Sequence, residues 1–310
     1  MTLAPIAWDH RPVRAPPGPV ILKSETQGRE VAMGGADGIL VGYDGSPGSE
    51  QALDWAIGEA RARGAALIVC HVWPPVPGGD PVATELAART GEHLLEVGLQ
   101  RAKSTAAAVE LRPLLATGSA AHVLCENGGD AAMIVVGARG RGGLAGLQLG
   151  SVSFQVAAHA RVPVTVVRGR WRWRPVPGQE KGVVAAGADG SSASQAALEF
   201  AFTEAALRDV PLLAVCALAD SAEVLAAAHR AEAEFELALA RCERDHPAVT
   251  VRRMIVPGAP RGALMEASAR AQLLVVGARG RGGLPQMRLG SVSTAVLHHA
   301  PCPVTVVRPQ

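Results

Sequence analysis

Short runs of consecutive apolar residues bounded by glycine alternate along the chain with longer stretches whose apolar residues recur every three or four positions. The first kind reads as a strand buried on both faces, the second as an amphipathic helix. GILVGY at 38–43 precedes the helical pattern SEQALDWAIGEARARG. The alternation continues through ALIVCHV, a helical stretch across the 80s and 90s, VELRPLL, a helix near 120–129, AMIVVG, a helix from 151 and VPVTVVR. A second series, GVVAAG, PLLAVCAL, VTVRRMI, LLVVG and CPVTVVR, keeps the same order. Strands rich in Val, Ile and Leu without polar alternation, separated by helices, predict a parallel sheet with helices on both faces: an α/β, Rossmann-like fold.

The two series are copies. VVGARGRGGL at 135–144 recurs at 275–284, LGSVS at 149–153 recurs at 289–293, and PVTVVR at 163–168 recurs at 303–308, each at an offset of 140. GYDGSPGSEQALDWA at 42–56 resembles GADGSSASQAALEFA at 187–201 at an offset of 145, so the first copy is five residues longer in its middle. A unit of this size is a free-standing domain and not a solenoid repeat. We expect two tandem five-stranded domains, 37–168 and 182–310. Residues 1–36 carry five prolines and little periodicity and read as a poorly ordered extension. Residues 169–181 read as an exposed linker. The final strand of each copy is the same apolar segment, an edge that invites aggregation unless covered, so the copies are expected to pack on each other within one chain, with a further homodimer left open.

Composition removes several classes. Lys and Arg number 30 against 28 Asp and Glu, a net charge of +2, which is far from the basic excess of a dedicated nucleic-acid binder. The basic–aromatic run RGRWRWRP therefore reads as part of the linker. No window reaches the ~18 apolar residues of a membrane span, and the start of the chain has no signal-like apolar core. The five cysteines are odd in number and widely spaced without a CxxC pair, as in reduced intracellular chains. The expectation is a soluble cytoplasmic protein without membrane or nucleic-acid partners. His159, His298 and His299 have no spaced Cys or carboxylate partner and read as structural.

Chemistry gathers in the duplicated segment. Gly137-x2-Gly140-x9-Gly150-Ser151 is repeated as Gly277-x2-Gly280-x9-Gly290-Ser291. In each copy the first glycine closes a strand and the serine opens a helix, and that edge of a parallel sheet is where ligands bind. Glycines permit close backbone approach, and the free N–H groups of Ser151, Val152 and Ser153, with those of Ser291, Val292 and Ser293, suit an anion. The hydroxyls of Ser151 and Ser153 are candidate further donors, and Arg139 or Arg141 a charge screen. Asp44 and Asp189 follow the first strand of each copy. A carboxylate at a strand mouth suits a ribose hydroxyl or base amine, although it also suits capping of the following helix. A phosphate loop with a strand-end carboxylate describes a nucleotide site.

With these motifs the chain resembles the tandem-domain, ATP-binding branch of the universal stress protein family, over residues 37–168 and 182–308. The resemblance implies a sheet order of 3-2-1-4-5, with ATP across the gap between the first and fourth strands and Mg²⁺ accompanying the triphosphate. Gly42, Asp44 and Val72 would surround adenine and ribose, and Gly137, Gly140, Gly150, Ser151, Val152 and Ser153 the phosphates. The second copy would use Gly187, Asp189, Leu218, Gly277, Gly280, Gly290, Ser291, Val292 and Ser293. No Walker lysine or placed general base accompanies the loop, which favours a nucleotide-dependent regulator with at most slow hydrolysis. The alternatives are an ATP-using α/β enzyme, against which YDGSPGS and ADGSSAS lack an SGGxDS signature, and a nucleotide-free structural protein, against which both glycine sets are intact.

Overall fold

The computed structural model describes residues 38–142, 148–168, 182–218, 225–281 and 287–309. The extension and linker expected at 1–36 and 169–181 lie outside these residues. The first copy runs β1 (Ile39–Gly42), α1 (Pro47–Arg63), β2 (Leu67–Trp73), α2 (Pro81–Thr105), β3 (Leu111–Thr117), α3 (Ala120–Asn127), β4 (Met133–Gly137), α4 (Ser151–His159) and β5 (Val164–Val167). The second runs β6 (Val183–Gly187), α5 (Ser192–Arg208), β7 (Leu212–Leu218), α6 (Leu225–Asp245), β8 (Val251–Pro257), α7 (Pro260–Ser268), β9 (Ala271–Gly277), α8 (Ser291–His299) and β10 (Val304–Val307). The offset is 145 up to β2 and β7 and 140 from β3 and β8 onward, so the five extra residues fall in the passage from β2 through α2.

Local chemistry sets the helix ends. The Ser46 hydroxyl accepts the Ser49 N–H at 3.2 Å to cap α1, and Pro47 takes the first turn, where its missing N–H costs nothing. Ser191 caps α5 in the same way through Ser194 N–H at 3.2 Å. α1 stops at Gly64 with φ 63°, whereas α5 stops at Asp209 with φ 53°, a left-handed position that asparagine and aspartate tolerate better than most residues.

Each copy keeps the strand order 3-2-1-4-5 in parallel, but the copies do not form two sheets. The strands join as β3-β2-β1-β4-β5-β10-β9-β6-β7-β8, because β5 and β10 pair antiparallel, Thr165 opposite Thr305. Two apolar edges thus become the centre of one mixed sheet, which removes the edge liability at that position. α1, α2, α5 and α6 cover one face and α3, α4, α7 and α8 the other, and each face carries one apolar core that runs through both copies.

The junction is tied on the face that α4 and α8 cover. Arg168, at the end of β5, donates to the carbonyls of Leu297 and His298 at the end of α8, and Arg308, at the end of β10, donates to those of Ala157, Ala158 and Ala160 at the end of α4. Each arginine meets the negative end of a helix belonging to the other copy. At the centre, the hydroxyls of Thr165 and Thr305, both fully buried, bond each other at 2.7 Å. Either Thr→Val change alone leaves one hydroxyl buried without a partner and is expected to cost about 1–3 kcal/mol, whereas the double change removes both partners and should be nearly neutral. A double-mutant cycle by urea denaturation measures this. Additive losses would mean that the hydroxyls do not need each other.

Candidate nucleotide site

At the carboxyl end of the sheet, where connections from β1 and β4 leave toward opposite faces, the first copy has a cavity of about 370 Å³ and the second, between β6 and β9, one of about 490 Å³. The first is lined by Gly42, Asp44, Val72, Gly137, Gly140, Gly150, Ser151, Val152 and Ser153 together, the set expected for that copy. Gly187, Asp189, Gly277, Gly280, Gly290, Ser291, Val292 and Ser293 line the second. This is the topological switch point of a doubly wound sheet.

The glycine hairpin is held by the carboxylate. Asp44 accepts the Ser46 N–H on one oxygen and the Arg141 N–H on the other, each at 3.0 Å. Asp189 does the same with Ser191 N–H at 3.0 Å and Arg281 N–H at 2.9 Å. Burial acts to raise both carboxyls, but hydrogen bonds from the serine that follows and from the hairpin amide hold each below its ordinary value. Gly140 is glycine because a Cβ there would lie 2.5 Å from the Asp44 carboxylate. Asp44 and Asp189 therefore shape the loop as well as line the cavity, whereas the helix caps, the alternative role for these carboxylates, come from Ser46 and Ser191.

The helix start supplies the donors. Phe154 N–H is the first in α4 to reach a helical acceptor, Gly150 O at 3.0 Å, and Thr294 N–H reaches Gly290 O at 2.9 Å in α8. Helix geometry leaves the three preceding amides of each helix to the cavity. The two serines divide the work. Ser151 is exposed, while Ser153 is buried and its hydroxyl donates to Gly137 O at 2.6 Å; Ser293 repeats this with Gly277 O at 2.7 Å. The Ser153 hydroxyl is thus committed to pinning the helix onto the strand end, and the expectation that it donates to an anion is corrected: Ser153 and Ser293 offer their amides.

The Usp model, described as the universal stress protein family, matches residues 36–168 and again 182–308. The chain belongs to this family. Two universal stress proteins of Mycobacterium tuberculosis are similar over most of it. One is 37% identical over 289 residues, 87% of this chain and 97% of that protein, and the other 36% identical over 304 residues, 87% and 95%. Among solved structures, a universal stress protein from Archaeoglobus fulgidus superposes with a TM-score of 0.68 at 21% identity, over 89% of this chain and 99% of that one. A universal stress protein from Pseudomonas aeruginosa gives 0.62 at 16%, over 88% and 93%. At these identities the structures speak for the shared fold.

Within this universal stress protein fold one expected residue is displaced. Gly42 pairs with Cys70, and Gly187 pairs with Val215 and not with Cys216. The register partner of Val72 is therefore Ala217, which lines the second cavity, and Leu218 is the counterpart of Trp73. The shared cysteine letter at 70 and 216 suggests the wrong alignment, and on a strand one residue changes the face. The side chain of Leu218 lies outside the described residues. Residues not expected from the sequence close the apolar end: Cys70 and Leu124 in the first copy, Val215, Pro260 and Leu264 in the second. Leu124 and Leu264 come from the helix after the third strand of each copy, whose buried face is legible only as packing. Ala217 and Ala188, where the first cavity has Val72 and Tyr43, agree with the larger volume of the second.

Proposed function

We propose that each copy binds one adenine nucleotide, ATP in the first place, and that occupancy regulates the protein's conformation or partner binding in place of a fast reaction. The observation that carries this reading is that two cavities at the same switch point are built from the same parts: a strand-end carboxylate, a glycine hairpin and a helix start with free amides. The apolar walls Val72 and Leu124, or Ala217 and Leu264, suit a flat base, and the helix amides suit the phosphates. Among the described residues no three His, Cys, Asp or Glu side chains gather around a metal position. Mg²⁺ enters the proposal as a companion of the triphosphate, held chiefly by phosphate oxygens.

Slow turnover follows from the same parts. Asp44 and Asp189 already accept two amides each, and no other carboxylate or histidine lines either cavity among the described residues to orient a water. Hydrolysis should stay well below the ~1 s⁻¹ lower edge of ordinary turnover. We assign this activity to the cytoplasm; support comes from the free thiols of all five cysteines and from the described helices, none of which is long and apolar enough to cross a membrane.

Titration calorimetry with ATP tests the proposal. The expected stoichiometry is two per chain, falling to one in Gly290→Val, with thermal melting raised by ATP in the absence of released phosphate. Binding of no adenine nucleotide overturns the reading. Ordinary turnover that is lost on Asp44→Ala with Asp189→Ala, while ATP still binds, would favour the second reading of an ATP-using enzyme.

A further inference from the structure

A separate cavity of about 450 Å³ lies on the far side of the second glycine hairpin. Arg279, Met287, Arg288 and Arg308 line it with Ser191 and Ser192 at the head of α5, and no carboxylate is among its described lining residues. Arg308 is a fixed cation there. Its guanidinium is anchored on the carbonyls of Ala157, Ala158 and Ala160 at 2.7–3.0 Å and reaches the Arg288 carbonyl at 3.4 Å, so carbonyl dipoles, and no carboxylate, offset its charge in those contacts. Burial, with Arg288 and Arg279 beside it, lowers its pKa, a sign of crowded positive charge.

The first copy is poorer in donors at two of the matching positions. The counterpart of Arg288 is Gln148, and the counterpart of Ser192 is Pro47, which has no N–H at all. Two independent exchanges in the same direction have thus made the second copy's surface more cationic and richer in donors at one place. Arg288 and Arg308 thus bring positive charge to one rim, with no carboxylate among the described lining residues, and an anion there would lower their mutual repulsion.

We propose that this cavity is an anion site distinct from the two nucleotide cavities, and that it takes a phosphoryl oxyanion carrying more than one negative charge. Arg288 reaches it from the exposed rim, Arg308 from its half-buried anchor and Ser192 with an amide and a hydroxyl. It shares Arg279, Gly280 and Met287 with the second nucleotide cavity. The phosphoryl group therefore has two sources: a free inorganic anion, or the distal phosphates of a nucleotide whose base occupies the neighbouring cavity.

Titration of inorganic pyrophosphate into the full chain tests the site. Arg288→Gln and Ser192→Pro give it the residues that the first copy carries at those positions, and both are expected to preserve the melting temperature. Arg288→Gln should weaken pyrophosphate binding at least about tenfold, the worth of one charge-assisted contact. Arg270→Gln is the control, since Arg270 is exposed at the opposite end of β9 and its loss changes net charge equally. Retention of most of the affinity by Arg288→Gln, or an equal loss in Arg270→Gln, overturns the proposal. A second arm compares adenosine 5′-tetraphosphate with AMP. A loss confined to the tetraphosphate in Arg288→Gln identifies nucleotide phosphates as the source, and pyrophosphate binding that persists at saturating AMP identifies the free anion. The pyrophosphate arm decides the site even for a protein that binds no adenine nucleotide.

Discussion

Replacing Glu59 with alanine is expected to remove about 3–5 kcal/mol of stability, the cost of leaving a buried charge without its partner. Glu59 and Arg63 stand one turn apart on α1, and Glu204 and Arg208 repeat the pair on α5. In the folded chain the four side chains meet across the junction of the copies. Arg208 donates to Glu59 at 2.6 Å and to Glu204, and Arg63 donates to Glu59 at 3.0 Å and to Glu204. Both glutamates are fully buried and Arg208 nearly so. Trp55 lies under the Arg208 guanidinium at 5.5 Å from its centroid, and Phe200, its counterpart, under Arg63 at 5.8 Å. Removal of Glu59 takes one acceptor from each of two arginines, in a site where of the four side chains only Arg63 keeps appreciable contact with solvent. Glu85→Ala is the control: its pair with Arg89 is exposed and should be worth no more than about 0.5 kcal/mol. Urea denaturation reads both. A loss at position 59 as small as that at 85 would mean that water reaches the quartet and that it adds little to the hold between the copies.

The same cluster gives the protein a pH dependence. Burial, with the Glu204 carboxyl beside it, pushes the Glu59 carboxyl up to about 8 against the opposing pull of Arg208 and Arg63. In the unfolded chain a glutamate titrates near ~4.3. Folding therefore takes up a proton between these values, so this contribution is complete below the lower one and is lost as pH rises through the upper. Denaturation midpoints between about pH 6 and about pH 9 should fall in the wild type and stay flatter in Glu59→Gln, which cannot lose that proton.

Much of this architecture could be read from repetition. Period and order of the apolar runs predict the strands and a parallel sheet in each copy, the family resemblance implies their order 3-2-1-4-5, and the doubled final strand PVTVVR signals that two edges need covering. What repetition does not say is that the edges cover each other as one mixed sheet, because antiparallel pairing between β5 and β10 depends on how the copies turn, and no residue spacing encodes that. The first cavity assembles all nine expected residues, since strand ends and helix starts are fixed by local pattern. The miss at Leu218 has a local cause: a slip of one position along a strand, invited by a coincidental cysteine. Ser153 differs from expectation for another reason: a serine in the first helical turn can face the ligand or the strand, and only the packing of α4 on Gly137 decides. The quartet carries a signal of its own in the sequence. Glu-x3-Arg recurs at the same offset on helix faces otherwise occupied by Leu, Ala and Ile, and a charge in an apolar stripe asks for a partner.

Gly137→Ala and Gly150→Ala should behave oppositely, though both glycines belong to one motif. A Cβ at Gly137 would collide with the carbonyl of Gly48 and lie 2.9 Å from Ser49 N. Those are backbone atoms in the first turn of α1, with no flexible end to move aside, so the helix must lift off the strand. The expected cost is about 1–3 kcal/mol or more, with ATP binding weakened only as a consequence of the distorted hairpin. At Gly150 the backbone has φ −79° and ψ 157°, open to any residue, and the nearest atom to an added Cβ is Ala138 O at 3.4 Å. Alanine therefore fits the unliganded fold, at no more than the ~1 kcal/mol of a poorer helix cap. Gly150→Val keeps that backbone but extends a branched side chain at a residue that lines the cavity beside the free amides of α4. It should leave the melting temperature within a few degrees of wild type while removing one of the two ATP-binding events. Calorimetry and thermal melting on the three variants separate the two roles. If Gly150→Val binds ATP as the wild type does, this glycine serves only the turn, and the path of the phosphates does not run along the head of α4.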